Sequence, residues 1–373
     1  MEQYYFLAHH RLDDLIDVLK SMRYTIKAPV IKEATIVYDD IKTSAELPWG
    51  YVDIQEPAFY KVTKSDVDRA FAWSLPVQSI KPMLFKEKEV LWAVKRDDKG
   101  RLRFERHLDE GRYAVLGVRP CDLRAIAIQD RIFIGDQYAD VRYQDRREKL
   151  FLIAVNCTDC HSNCFCVSME GGPVADAGYD LAMTEIAGGF MIKSASDKGQ
   201  SVLRQLNLPE ASEIRITEAM KATDSVYDKQ QKSIPSLTSV ERDLKAQPDH
   251  PRWQEVSDRC LSCGSCTQAC PTCFCHDEKE QPALEGDHSE HMRLWDSCFS
   301  LDHSYTHGDL YRENPKYRYR QWLTHKFSTW RDQFDTNGCV GCGRCITWCP
   351  VSIDVIEEIN AICRDNKDTG DKS

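Results

Sequence analysis

The chain has 373 residues, with 49 basic against 59 acidic side chains for a net charge of −10, and it carries 17 cysteines. That length allows two or three domains with sizeable cores, and the acidic balance argues against a general affinity for nucleic acid or anionic membrane. So many cysteines, and an odd number, in a long chain point to metal or cluster ligation rather than to the disulfide framework of a small secreted domain.

The opening MEQYYFLAHH lacks the basic and apolar regions of a secretory signal. Apolar runs such as LFLIAV fall far short of the ~20 residues a bilayer span requires, so the expectation is a soluble, cytoplasmic protein. Residues 11–22 place Leu12, Leu15, Ile16, Val18 and Leu19 at helical spacing, which predicts an amphipathic helix. TIVYD, MLFKEKEVLWAV, YAVLGVR, KLFLIAVN and GFMIKSA then read as strands or strand-like segments. A helix is predicted in DLRAIAIQDRI directly after Cys121, with Asp122 as its N-cap. Residues 1–220 therefore read as one mixed α/β domain.

Cys121 follows one predicted strand and Cys157 another, and ligands in such sheets gather beyond the carboxyl ends of strands. The loop TDCHSNCFCVSM adds Cys160, Cys164 and Cys166, so five cysteines converge where a 4Fe-4S cluster needs four. Spacing does not say which is spare, and buried structural thiols are the alternative. His161 reads as a polar loop residue rather than a ligand.

Residues 221–252 turn polar and read as a linker with one helix. Residues 253–365 read as a two-cluster, ferredoxin-like α-helical domain, and 366–373 as a disordered tail. Its core is a repeat, CLSCGSCTQACP at 260–271 and CVGCGRCITWCP at 339–350, each C-x2-C-x2-C-x3-C-P. In this pattern three cysteines wrap one cubane while the fourth crosses to the other cluster. The spacing thus assigns Cys260, Cys263, Cys266 and Cys349 to one cluster, and Cys339, Cys342, Cys345 and Cys270 to the second. Gly264 and Gly343 let the backbone approach so that N–H groups reach sulfur. A zinc site is the competing reading, but each motif overfills a tetrahedral ion.

The insertion at 276–338 is longer than a compact ferredoxin needs, and its KYRYRQWLTHKFSTW is expected to pack Trp322 and Phe327 against the cluster domain rather than stack bases. No dinucleotide or nucleoside-triphosphate fingerprint is present, which favours a non-catalytic relay over a self-contained iron-sulfur oxidoreductase.

Together GVRPCDLRAI, NCFCVSM, HPRWQEVSDRCLSCGSCTQACPTCFC, LWDSC and NGCVGCGRC resemble the iron-sulfur beta subunit of cytosolic sulfhydrogenase-type nickel-iron hydrogenases and the equivalent iron-sulfur subunit of anaerobic sulfite reductases, from about residue 110 onward. The resemblance implies an electron-transfer subunit with three 4Fe-4S clusters. It would sit between the catalytic subunits of a nickel-iron hydrogenase, or alternatively a sirohaem sulfite reductase, and a flavin- and NAD(P)-binding subunit. It implies Cys121, Cys157, Cys164 and Cys166 as the N-terminal ligands, and leaves Cys160 and Cys363 without a role. It also extends to Cys273, Cys275 and Cys298, which would either surround the ferredoxin clusters or hold a fourth. Lying in another domain, the N-terminal cluster would connect the ferredoxin pair to a partner subunit.

Overall fold

The structure, a computed structural model, describes residues 3–370 apart from 107, 110 and 136, with side chains described as far as 364. YAVLGV and LFLIAV, apolar on both faces, become the adjacent parallel strands Tyr113–Val118 and Leu150–Val155. They are central in a seven-stranded sheet ordered Tyr5–Ala8, Gly189–Ser194, Leu181–Ile186, Leu150–Val155, Tyr113–Val118, Thr25–Lys32 and Thr35–Asp40. The inner four strands run parallel, and antiparallel pairings close both edges.

Helices cover both faces. Leu12–Ser21 buries Leu12, Leu15, Ile16 and Leu19 as its periodicity predicts, with Val18 only half-buried at the edge of that face, and packs one face of the sheet beside Asp197–Leu206. Pro120–Phe133 and Val141–Lys149 cover the other. The chain is thus mixed α/β. The helix after the strand Tyr113–Val118 begins earlier than expected, at Pro120 with Arg119 as N-cap, because proline presets the first helical turn. Asp122 therefore lies within the helix and does not cap it.

The second half is not purely helical. Within the 276–338 insertion, His276–Pro282 and His288–Trp295 form a hairpin, and its second strand pairs with Lys88–Arg96 in a four-stranded sheet. HDEKEQP is exposed along its whole length and has no apolar alternation, so only the non-local pairing makes it a strand. The two halves of the chain are joined by this sheet.

The expected linker is also structured. Glu213–Lys229 and Leu237–Ala246 are helices, and Leu237, Val240 and Leu244 enter a core with Trp253, Trp322, Phe327 and Ile359. Their three- and four-residue spacing makes one apolar stripe on an otherwise polar helix. Trp322 lies in the helix Pro315–Thr324, and Phe327 in the π-helical turn His325–Thr329 that continues it. Cys363 is buried in the same core. The last helix, Val355–Gly370, carries the backbone through most of the expected tail, while 371–373 lie outside the described residues. No described helix is long and apolar enough to cross a membrane.

Candidate functional site

At the carboxyl ends of the two central strands, buried Arg119 ties the chain together by donating to Val155 O and Asn156 O, both at 3.3 Å, and to Phe71 O at 3.2 Å. This fixes where Cys121, in the first helical turn, and Cys157, just past the neighbouring strand, stand. The following loop brings Cys160, Cys164 and Cys166 to the same place, and all five thiols line one cavity. Burial pushes Cys121 and Cys164 well above the usual thiol range, Cys157 up to about 12 and Cys160 up to about 11. Metal binding must therefore displace their protons. His161 is buried beside them, pushed down to about 4 by burial, and its Nδ1 accepts from Asn163 N–H at 3.1 Å.

Residues outside the sequence-derived set complete this cavity. Val226 and Gln230 come from the helical segment expected to be a linker, and Gln230 Nε2 donates to Cys166 Sγ at 3.0 Å. Gly341 and Cys342 come from the second cysteine motif. A lone glutamine and a glycine within a motif gave no signal of this contact.

Around the first motif, Cys260, Cys263 and Cys266 face Cys349 across a cavity walled by Phe299, Tyr319 and Trp322. Ser262 N–H donates to Cys260 Sγ at 3.4 Å and Ile353 N–H to Cys349 Sγ at 3.2 Å. Gly264 takes φ +74°, the left-handed turn that lets the loop close on the thiols. This site is nearest to solvent, with Cys263 exposed and Leu261 64% exposed.

At the second motif, Cys339, Cys342 and Cys345 each lie within electrostatic reach of Cys270, and Gly341 N–H donates to Cys339 Sγ at 3.4 Å. This loop packs against the loop of the N-terminal cavity, with Phe165 N–H donating to Gly341 O at 2.9 Å. A Cβ on Gly341 would stand 2.6 Å from Cys166 N, and one on Gly343 would stand 2.4 Å from Asn163 O. Arg344 binds Asp122 bidentately at 2.7 and 2.9 Å, with both side chains fully buried. Cys345 also borders the first-motif cavity, whereas Cys342 borders the N-terminal one. The N-terminal thiols are thus in contact with the second cysteine motif, so the site expected to join the two motifs to a partner also adjoins one of them directly.

Cys273, Cys275 and Cys298 all lie within electrostatic reach of Lys326. The Cys273 thiol donates to Cys270 and, with Lys326 and Thr272, holds Cys270 well below the usual thiol range, while Cys273 itself is held well above it. Burial raises Cys275 and pushes Cys298 up to about 12, and each lies within reach of the other or of Lys326. Lys326 is buried, with Nζ donating to Thr272 Oγ1 at 2.8 Å and Gly338 O at 3.1 Å. Burial works against its charge, but Cys270, Cys273 and Cys339 prevail and raise it.

These donor sets fit iron-sulfur clusters. Each offers at least four soft sulfur ligands, with backbone or amide N–H groups already aimed at sulfur. Residues 259–353 match the family model of a 4Fe-4S dicluster domain. The chain is also similar to the sulfhydrogenase 2 subunit beta of Pyrococcus furiosus, 25% identical over 264 residues that cover 68% of this chain and 75% of that protein. No solved structure matches it. These likenesses bear out the resemblance to an iron-sulfur beta subunit of sulfhydrogenase type, and support an iron-sulfur electron-transfer subunit.

Proposed function

We propose that the chain relays electrons between the catalytic subunits of a nickel-iron hydrogenase and a flavin- and NAD(P)-binding subunit, itself performing no bond chemistry. Clusters bound here would supply one-electron storage and transfer. Three 4Fe-4S clusters are assigned: Cys121, Cys157, Cys164 and Cys166 hold one; Cys260, Cys263, Cys266 and Cys349 another; Cys339, Cys342, Cys345 and Cys270 the third. Cys160 borders the first of these sites as a spare thiol, and Cys273, Cys275 and Cys298 serve as surroundings rather than as a fourth site.

The observation that carries this reading is the contact of the second motif with both other sites, through Cys345 on one side and Cys342 on the other. It supports a series with the second motif in the middle. One end opens at exposed Cys263 and Leu261, where a partner's redox centre can approach. The buried aromatic wall of Tyr319 and Trp322 keeps water from the inner side of that end. The similarity to a sulfhydrogenase subunit favours hydrogenase over sulfite reductase as the complex. Anaerobic purification of the native complex tests this: nickel and flavin in stoichiometric amounts are expected, whereas sirohaem without nickel would assign the chain to a sulfite reductase.

A further inference from the structure

Two buried lysines stand beside the Cys270–Cys273 pair. Lys81 is shared, since its Nζ lies 3.7 Å over the Trp295 ring and donates to Gln268 O at 3.3 Å. Lys326 differs. It is 3% exposed, it sits in the π-helical turn His325–Thr329, and among the described residues no carboxylate pairs with it. Its ammonium rests on Thr272 Oγ1 and Gly338 O. Thr272 Oγ1 is in turn 3.2 Å from Cys270 Sγ, and Gly338 directly precedes Cys339.

The local backbone is built for this placement. Gly338 N–H donates to Lys326 O at 2.8 Å, and a Cβ on Gly338 would stand 3.1 Å from Lys326 Cα and 2.5 Å from the Trp330 ring. The π turn inserts one extra residue into the helix, which is how such turns redirect a side chain at functional sites. An isolated ammonium buried in this way is costly unless a negative group accompanies it. With a cluster bound at the second motif, its ligand thiolates would be that negative group. The first-motif cavity offers no such cation among its lining residues, where Tyr319, Trp322 and Val355 stand instead.

We propose that Lys326 is the fixed positive charge that sets the second-motif cluster at a higher reduction potential than the first-motif cluster, making the middle of the series the place where an electron rests. This rests on the cluster assignment above. A cluster gains one unit of negative charge on reduction, and a nearby cation with no carboxylate partner in a water-poor site favours that form. Thr272 Oγ1, 3.2 Å from Cys270 Sγ, acts in the same direction where it donates, because hydrogen bonds to ligand sulfur raise a cluster's potential.

The test is an EPR-monitored redox titration of the intact, anaerobically reconstituted chain, with Cys339→Ser identifying which signal belongs to the second motif. Lys326→Met should lower the midpoint of that signal and leave the first-motif midpoint in place, with iron content unchanged. Lys326→Arg, which keeps the charge, should restore it. If Met displaces iron, Lys326→Gln takes its place, since its amide can still donate to Thr272 and Gly338, and the same downward shift is expected. Unaltered midpoints with full iron would overturn the proposal, as would an equal shift in the Arg variant. Fewer centres than three in the unsubstituted chain would instead count against the cluster assignment, so the two failures are distinguishable.

Discussion

The motifs at 260–271 and 339–350 share one cysteine spacing and differ in nearly everything around it. Leu261 is 64% exposed, while its counterpart Val340 is 4% exposed. Ser262 and Gly341 both take positive φ, 51° and 68°, but Ser262 turns in an accessible loop whereas Gly341 turns against the backbone of Cys166. Ser265, following Gly264, touches Cys263 with its hydroxyl, and Arg344, following Gly343, is locked onto Asp122. The two motifs share their spacing, and the residues between the cysteines decide what each faces: solvent at the first motif, the rest of the chain at the second.

The largest expected break in this comparison is at Arg344. Arg344→Ala leaves Asp122 charged and buried, which costs about 3–5 kcal/mol. Denaturant unfolding of the reconstituted chain should show that loss, and Asp122→Leu combined with Arg344→Met should recover much of it. At the corresponding position Ser265→Ala should stay within about 0.5 kcal/mol of the parent.

Copying the first motif into the second sharpens the contrast. Gly341→Ser forces a Cβ into the Cys166 backbone at 2.6 Å. The cost should be about 1–3 kcal/mol, with loosening of the N-terminal site visible as faster iron release to a chelator. The reverse change, Ser262→Gly, relieves a left-handed serine and should alter stability by less than about 1 kcal/mol.

A smaller effect is expected far from both motifs. Asp140 caps Val141–Lys149, accepting from Arg142 N–H at 2.9 Å and Tyr143 N–H at 3.0 Å, and pairs with Arg293 of the shared hairpin. Burial alone would raise its pKa, but Arg293 and the two N–H groups hold it below the usual carboxylate range. A depressed folded pKa gives stability that is present above the unfolded value and lost as pH falls through the folded one. Asp140→Asn should cost about 1–2 kcal/mol near neutral pH and flatten the acid side of the stability profile below about pH 4. An unchanged acid limb would show that Asp140 is not the titrating group.

Much of this was legible in the sequence for one reason: strong periodicity and strict spacing are local. The first helix, the two central strands, the strand-end positions of Cys121 and Cys157, and the packing of Trp322 and Phe327 all follow from such signals. What the sequence hid is non-local. HDEKEQP becomes a strand only by pairing with His288–Trp295. The polar segment after residue 220 conceals the stripe Leu237, Val240 and Leu244, and within it Gln230 reaches Cys166. The contact of Gly341 with the 163–166 loop has no trace in spacing, since glycine in a tight loop already has a local explanation. Lys326 was likewise indistinguishable from the solvent-facing lysines and arginines of its run.

The central claim is that the N-terminal thiols hold a cluster of their own in contact with the second motif, and iron quantification with EPR on the intact chain tests it most directly. The anaerobically reconstituted protein should contain about twelve irons, with Cys121→Ala or Cys164→Ala retaining about eight and one paramagnetic centre fewer, and Cys160→Ala retaining about twelve. About twelve irons and an unaltered spectrum in Cys121→Ala and Cys164→Ala would contradict it.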